Sequence, residues 1–66
     1  MNIILYSTDC PKCKVIESKL KDKNIKFETC KDVDLMQEKG FTMAPMLEVD
    51  GEIMDFIKAN KWVNAQ

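Results

Sequence analysis

The sequence predicts one α/β domain in which a strand–helix–strand unit is followed by a helix, a strand hairpin and a final helix. The first observation is an apolar, β-prone run at residues 2–6 that leads within a few residues into an amphipathic helical pattern. The second is Asp50-Gly51 between two short β-prone segments, the strongest two-residue signal for a hairpin. Because the chain has 66 residues and no linker or repeat, we expect residues 1–66 to form a single domain.

The strand at residues 2–6 is apolar enough to be buried on both faces. The first helix begins at Pro11, since proline is favoured at the first helical position, and Cys10 precedes it as the cap. Asn24 is a suitable residue to end this helix. Its apolar face is formed by residues three and four positions apart: Cys13, Ile16 and Leu20.

A second strand and a short helix follow. Apolar and polar residues alternate from position 25, which predicts a strand with one buried face. The residues on that face are Ile25, Phe27 and Thr29. Asp32 then caps a short helix that carries Val33 and Met36, and Gly40 ends it.

Residues 46–49 and 52–54 are the two strands of the hairpin, and Asp55 caps the last helix. The apolar face of that helix consists of Phe56, Ala59 and Val63. In this order of elements the first two strands run parallel through a right-handed crossover, whereas the hairpin is antiparallel.

Composition excludes several classes of function. The chain carries ten lysines but no arginine or histidine, and its net charge is -1, so it offers no basic surface for nucleic acid. No apolar run approaches the ~20 residues that a membrane span needs, and no signal-peptide pattern begins the chain. We therefore expect a monomeric cytoplasmic protein with neither nucleic acid nor membrane as a partner.

The three cysteines allow a disulfide framework, a metal site or redox chemistry. A disulfide framework is disfavoured because the count is odd and small. A closed zinc site needs four ligands, and this chain has three cysteines and no histidine, so we predict no metal site. Redox use is favoured because Cys10 and Cys13 form a C-x-x-C motif at the start of a helix that follows a strand.

The position of the two thiols predicts different roles for them. The N-terminus of a helix presents unpaired N–H groups and roughly half a positive charge, so the pKa of Cys10 is expected to be low. Lys12 and Lys14 assist this and Asp9 opposes it, and we expect the two lysines to prevail. Cys13 lies on the apolar face, so we predict that Cys10 is the nucleophile and Cys13 the resolving thiol.

Pro45, in the segment Met43-Ala44-Pro45, has two interpretations. It is either a trans proline at the entry of a strand or a cis proline whose kink exposes the backbone of Met43 and Ala44 for pairing with an extended substrate. The presence of the Cys10/Cys13 motif in the same chain favours the second interpretation.

Taken together, Cys10-Pro11-Lys12-Cys13 between strand and helix, Met43-Ala44-Pro45 and the Asp50-Gly51 hairpin resemble a glutaredoxin of the thioredoxin superfamily over nearly the whole chain. The resemblance implies a thioredoxin-like fold with a four-stranded mixed sheet in the order 2-1-3-4, flanked by three helices, with Pro45 cis beside Cys10. It also implies reduction of protein or glutathione mixed disulfides. Expected partners are disulfide-containing proteins such as a ribonucleotide reductase or a disulfide reductase, with glutathione as a further candidate reductant and no bound cofactor.

The chain departs from the glutaredoxin pattern in two places. Ser7 occupies the position three residues before the first cysteine, where a basic residue is usual, and Met54-Asp55-Phe56 leads straight into the last helix. The segment that grips the glutathione carboxylate is therefore shortened or absent. The predicted substrate-binding residues are Tyr6, Pro11, Lys12, Met43, Ala44, Pro45 and Asp55.

Some alternatives stay open at this stage. Tyr6 either borders the substrate groove or simply packs, and for Asp55 a plain helix cap is favoured over binding of a ligand amine. Cys30 is interpreted as a spare, partly exposed thiol. For the whole protein, the alternatives are an iron–sulfur or metal carrier that uses Cys10 in a dimer, and a binding module that has lost catalysis.

Overall fold

The computed structural model describes residues 2–66 and confirms the predicted order of elements. In chain order these are β1 (Ile3–Tyr6), α1 (Pro11–Asp22), β2 (Glu28–Cys30), α2 (Val33–Glu38), β3 (Met46–Val49), β4 (Glu52–Met54) and α3 (Phe56–Asn64). The strands form one mixed sheet in the order β2-β1-β3-β4, as in the thioredoxin-like fold. In the described part of the chain no helix is long and apolar enough to cross a membrane.

β1 lies at the centre of the sheet. It pairs in parallel with β2, where Leu5 is opposite Thr29, and antiparallel with β3, where Leu5 is opposite Leu47. Asp50 and Gly51 both have positive φ values, 49° and 88°, as a two-residue turn between antiparallel strands requires. The predicted hairpin is therefore confirmed.

The main core lies on one face of the sheet, under α1 and α3. Side chains alternate between the faces of a strand, so residues at every second position of β1 and β3 contact the apolar faces of both helices. The buried residues of this core are Ile3, Leu5, Ile16, Leu20, Leu47, Val49, Met54, Ala59 and Val63. The predicted helix caps are also confirmed, since the side chain of Asp32 accepts from Leu35 N and that of Asp55 accepts from Lys58 N.

The opposite face of the sheet is covered by fewer residues. Tyr6 points to this face, and its ring meets the ring of Phe41 edge-on at a centroid distance of 5.0 Å. The hydroxyl of Tyr6 donates a hydrogen bond to Glu48 Oε1 at 3.2 Å. The segment after α2 therefore packs on the carboxyl end of β1, close to the turn that contains the first cysteine.

The prediction for β2 was wrong in its extent and burial. Ile25 and Phe27 precede the strand and are only partly buried against the core, and Thr29 is exposed. Two causes are visible. The N–H of Ile25 donates to Leu20 O at 3.0 Å, so this residue belongs to the turn that ends α1, in which Asn24 has a φ of 56°. In addition, β2 is one of the two edge strands and packs mainly against β1, with no helix of residues 2–66 packed closely over it, so the side chain of Thr29 stays exposed.

Candidate active site

The C-x-x-C motif occupies the first turn of α1. Pro11 is the first helical residue, and Cys10 is the N-cap with an extended ψ of 162°. Its carbonyl accepts the N–H of Lys14 at 3.0 Å, and its Sγ accepts the N–H of Cys13 at 3.1 Å. The sulfur of Cys10 therefore takes the place that a serine or aspartate oxygen fills in an ordinary N-cap, in the positive field of the helix end.

Cys10 and Cys13 are joined as a disulfide in this structure, with their Cα atoms 5.0 Å apart. Their surroundings differ. Cys10 is half-buried at the rim of the molecule, whereas Cys13 is fully buried, on the same face of α1 as Ile16 and Leu20. A thiol-bearing molecule can approach only the first of the two sulfurs directly.

The turn before Cys10 is tied to the end of β2. Ser7 is fully buried, and its N–H donates to Cys30 O at 2.9 Å. Its Oγ accepts the N–H of Asp9 at 3.1 Å, and Asp9 has a φ of 61°, in the left-handed region. Serine and aspartate favour turns, so the sequence predicts a turn at residues 7–9, and the structure adds the bond by which the Ser7 side chain closes it.

Two of the charged residues expected to act on Cys10, Lys12 and Asp9, make contacts with other residues. Lys12 extends over the ring of Phe56 at the start of α3, with Nζ 5.3 Å from the ring centroid. The carboxylate of Asp9, expected to oppose ionisation of Cys10, lies 3.0 Å from Nζ of Lys31. Sequence reasoning missed Lys31 because no local pattern places it beside a residue 22 positions earlier.

The segment 43–45 lies beside the cysteine pair. The Ala44–Pro45 peptide bond is cis, as predicted, and the carbonyl oxygen of Ala44 lies 3.9 Å from Cys10 Sγ. Met43 is 60% exposed, and among residues 2–66 its backbone N–H and C=O make no hydrogen bond with other backbone groups. An extended peptide that reaches Cys10 would therefore find unpaired backbone groups next to it.

A cavity of about 270 Å³ opens next to this segment. Its wall is formed mainly by apolar side chains, and Thr8 and Ala44 connect it to Cys10. The complete lining is Thr8, Val33, Met36, Gln37, Phe41, Thr42, Met43 and Ala44. Val33, which lies on α2 and lines the cavity, is 50% exposed. The cavity therefore presents apolar surface to the solvent. A larger cavity of about 520 Å³ lies at the opposite end of β1, far along the sheet from the cysteine pair.

A protein named thioredoxin from Methanothermobacter thermautotrophicus is 34% identical to this chain, over 80% of the chain and 77% of the relative. The chain belongs to the thioredoxin superfamily. No protein-family model matches the chain, and no solved structure matches it. Membership, together with the paired cysteines at the start of α1, supports a thiol–disulfide oxidoreductase.

Two of the predicted substrate-binding residues, Tyr6 and Asp55, also have structural roles. Tyr6 is almost fully buried and packs beneath Phe41, a residue that lines the apolar cavity. Its burial raises the pKa of the phenol above its ordinary value, and the neighbouring Glu48 carboxylate adds to this effect. Asp55 caps α3, since its Oδ1 accepts the N–H of Lys58 at 2.9 Å. Direct contact of either residue with substrate stays a prediction.

The remaining predicted residues lie around the rim. Pro11 and Lys12 are exposed, and Pro45 is fully buried beneath the rim. Cys30 is a free, half-buried thiol at the end of β2, in agreement with the expectation of partial exposure. Within residues 2–66 no group of three or more cysteine, aspartate or glutamate side chains is placed to hold a metal ion.

Proposed function

We propose that this protein reduces disulfides in other proteins, with Cys10 as the nucleophile and Cys13 as the resolving thiol. One observation carries the proposal. Two cysteines within bonding distance differ in access, because one caps the helix at the molecular rim and the other is fully buried behind it. Such a pair can accept a large substrate on one sulfur and release it with the other.

The exchange proceeds in two balanced steps. The thiolate of Cys10 attacks one sulfur of the substrate disulfide, and that bond breaks to release the other substrate sulfur as a thiolate, which takes up a proton. The thiolate of Cys13 then attacks Sγ of Cys10 in the mixed disulfide and releases the second substrate thiol. Two electrons have moved to the substrate, and the protein is left with its Cys10–Cys13 disulfide until an external thiol or a disulfide reductase reduces it.

The surface beside Cys10 supports protein disulfides as substrates. The unpaired backbone of Met43 suits an extended peptide, and the apolar cavity next to it suits an apolar side chain near the substrate cysteine. Glutathione is a charged tripeptide and has no large apolar side chain to fill this cavity. After β4 the chain passes through Asp55 directly into α3, so the segment with which glutaredoxins grip the glutathione carboxylate is shortened or absent. Disulfide-containing enzymes such as a ribonucleotide reductase are therefore candidate partners.

A turnover assay tests this function. Reduction of insulin disulfides would be followed with the protein recycled either by glutathione and glutathione reductase or by a thioredoxin-reductase system. We expect turnover with insulin and a preference for the thioredoxin-reductase system. Absence of turnover with both systems, combined with either stoichiometric iron and a visible absorption band or stoichiometric zinc in the isolated protein, would instead support the iron–sulfur or metal carrier.

The preference for apolar substrates has its own test. Val33→Lys places a charge in the cavity wall, so we expect a several-fold rise in KM for a peptide disulfide with leucine near its cysteine and a smaller change for glutathione disulfide. Ile57→Lys is the control, because Ile57 is also an exposed apolar residue on a helix (65% exposed, against 50% for Val33) but lies on α3 outside the cavity. If both variants raise the KM for the leucine peptide equally, the cavity does not bind the apolar side chain of the substrate.

A further inference from the structure

Two contacts connect the end of β2 to the turn that carries the nucleophile. β2 runs parallel to β1, so its last residue, Cys30, lies beside the beginning of this turn and accepts the N–H of Ser7. The next residue, Lys31, extends to the end of the turn, where its Nζ lies 3.0 Å from Oδ1 of Asp9. One contact is made by the backbone and the other by side chains, and the second lies directly before Cys10.

Asp9 is an unfavourable neighbour for a nucleophilic thiolate. A carboxylate one residue away disfavours a second negative charge on the Cys10 sulfur. The backbone of Asp9 is held in place, because this residue has a φ of 61° and its N–H is bound to Ser7 Oγ, so the carboxylate stays attached directly before Cys10. Aspartate tolerates this left-handed conformation better than most residues, which gives the turn a structural reason to contain it.

We propose that Lys31 is a positioning residue that neutralises Asp9 and thereby preserves the reactivity of Cys10. The proposal rests on the proposed function, in which Cys10 is the nucleophile. Lys31 acts through Asp9 and not on the sulfur itself. It follows that the benefit of Lys31 depends on the presence of the carboxylate.

Further charged residues lie on α1 and at the start of α3, which meet where Lys12 extends over Phe56. Lys12 and Lys14 come from α1, and Asp55 comes from the start of α3. The segment 41–45 contributes none, since it reads Phe-Thr-Met-Ala-Pro. Among all of these, Lys31 is the cation that the structure pairs with Asp9.

The expected effect is small because the pair is open to solvent. Both side chains are 57% exposed, so water and salt screen the charges. We expect loss of Lys31 to slow alkylation of Cys10 below neutral pH by about two- to threefold, which is the scale of an exposed ion pair. Addition of about 0.5 M salt shortens the screening distance and should reduce the effect further.

The test measures alkylation of Cys10 by iodoacetamide in the reduced full-length protein from pH 5 to 10, with the modified cysteine identified by mass spectrometry. Lys31→Met should move the apparent pKa of Cys10 upward, and Asp9→Asn should move it downward. In the Asp9→Asn background, Lys31→Met should have little further effect. Lys26→Met is the control, because it removes the same charge from a residue two positions before the start of β2, at the opposite end of the strand from Lys31.

Two results would overturn the proposal. If Lys31→Met shifts the pH profile equally with and without the Asp9 carboxylate, Lys31 acts directly on the thiolate. If Lys31→Met changes thermal stability while the pH profile stays unchanged, its role is purely structural. Failure of the proposed function is a different result, since Cys13 or Cys30 would then be alkylated before Cys10 in the wild-type protein.

Discussion

The two sides of the first turn of α1 place the same chemical group in opposite surroundings. On the outer side, Cys10 caps the helix, is half-buried and borders an open cavity through Ala44. On the inner side, Cys13 is fully buried on the face of α1 that forms the core. The comparison teaches that three residues of helix are enough to give two thiols different access to solvent, the difference on which their proposed roles depend.

Local sequence accounts for this difference. Pro11 is the first helical residue, a position at which a backbone N–H has no partner within the helix, so its missing N–H costs nothing. Cys10 therefore precedes the helix as its cap. Cys13 is three residues before Ile16 and seven before Leu20, so the helical period places all three on one face. That face is buried because the sheet and α3 lie against it.

The largest effect is expected from loss of the outer thiol. Cys10→Ser should abolish disulfide reduction, because no other half-exposed sulfur lies at the start of the helix. Cys30→Ser is the control and should keep most of the activity, since Cys30 is a free thiol outside the pair. The measurement is insulin reduction with dithiothreitol as the electron donor. Comparable loss in both variants would contradict the assignment of the outer thiol.

A smaller effect separates the two sides in stability. Ile16→Val removes one methyl group from the fully buried side, so it should lower the free energy of unfolding by about 0.5–1.5 kcal/mol. Val15→Ala removes more atoms from a side chain that is 42% exposed, yet should change stability by less than about 0.5 kcal/mol. Urea denaturation of both variants checks this order, and a larger cost at Val15 would contradict the described burial.

The smallest effect concerns the titration of Tyr6, the buried phenol that packs beneath Phe41 in the cavity wall. The pKa of Tyr6 is raised in the folded protein, so above the ordinary value of 10.0 the unfolded chain loses the phenol proton first. Stability from this group is therefore fully present below pH 10 and is lost as the pH rises towards the folded pKa. The wild-type unfolding free energy should fall more steeply above pH 10 than that of Tyr6→Phe, as measured by urea denaturation. Parallel curves would contradict the raised pKa.

Sequence reasoning succeeded where the signal is local. The caps at Asp32 and Asp55 and the turn at Asp50-Gly51 each follow from the conformational preference of one or two residues. The sheet order and the cis bond before Pro45 were obtained from the family resemblance and are confirmed.

The errors and omissions involve contacts between distant parts of the chain. Thiol access depends on local helix geometry and was predicted, but the ion pair between Asp9 and Lys31 depends on the register of two parallel strands. The burial of Phe27 and Thr29 was also overestimated, because alternation within a segment does not reveal whether a helix covers that face of the strand.

The most direct test of the central claim is to trap the mixed disulfide. Cys13→Ser retains the proposed nucleophile but lacks the resolving thiol, so mixing it with a disulfide-bearing peptide should give a stable adduct on Cys10, located by mass spectrometry. Cys10→Ser treated in the same way should give little adduct, because Cys13 is fully buried. An adduct that accumulates on Cys13 in Cys10→Ser, with none on Cys10 in Cys13→Ser, would reverse the assigned roles and contradict the account.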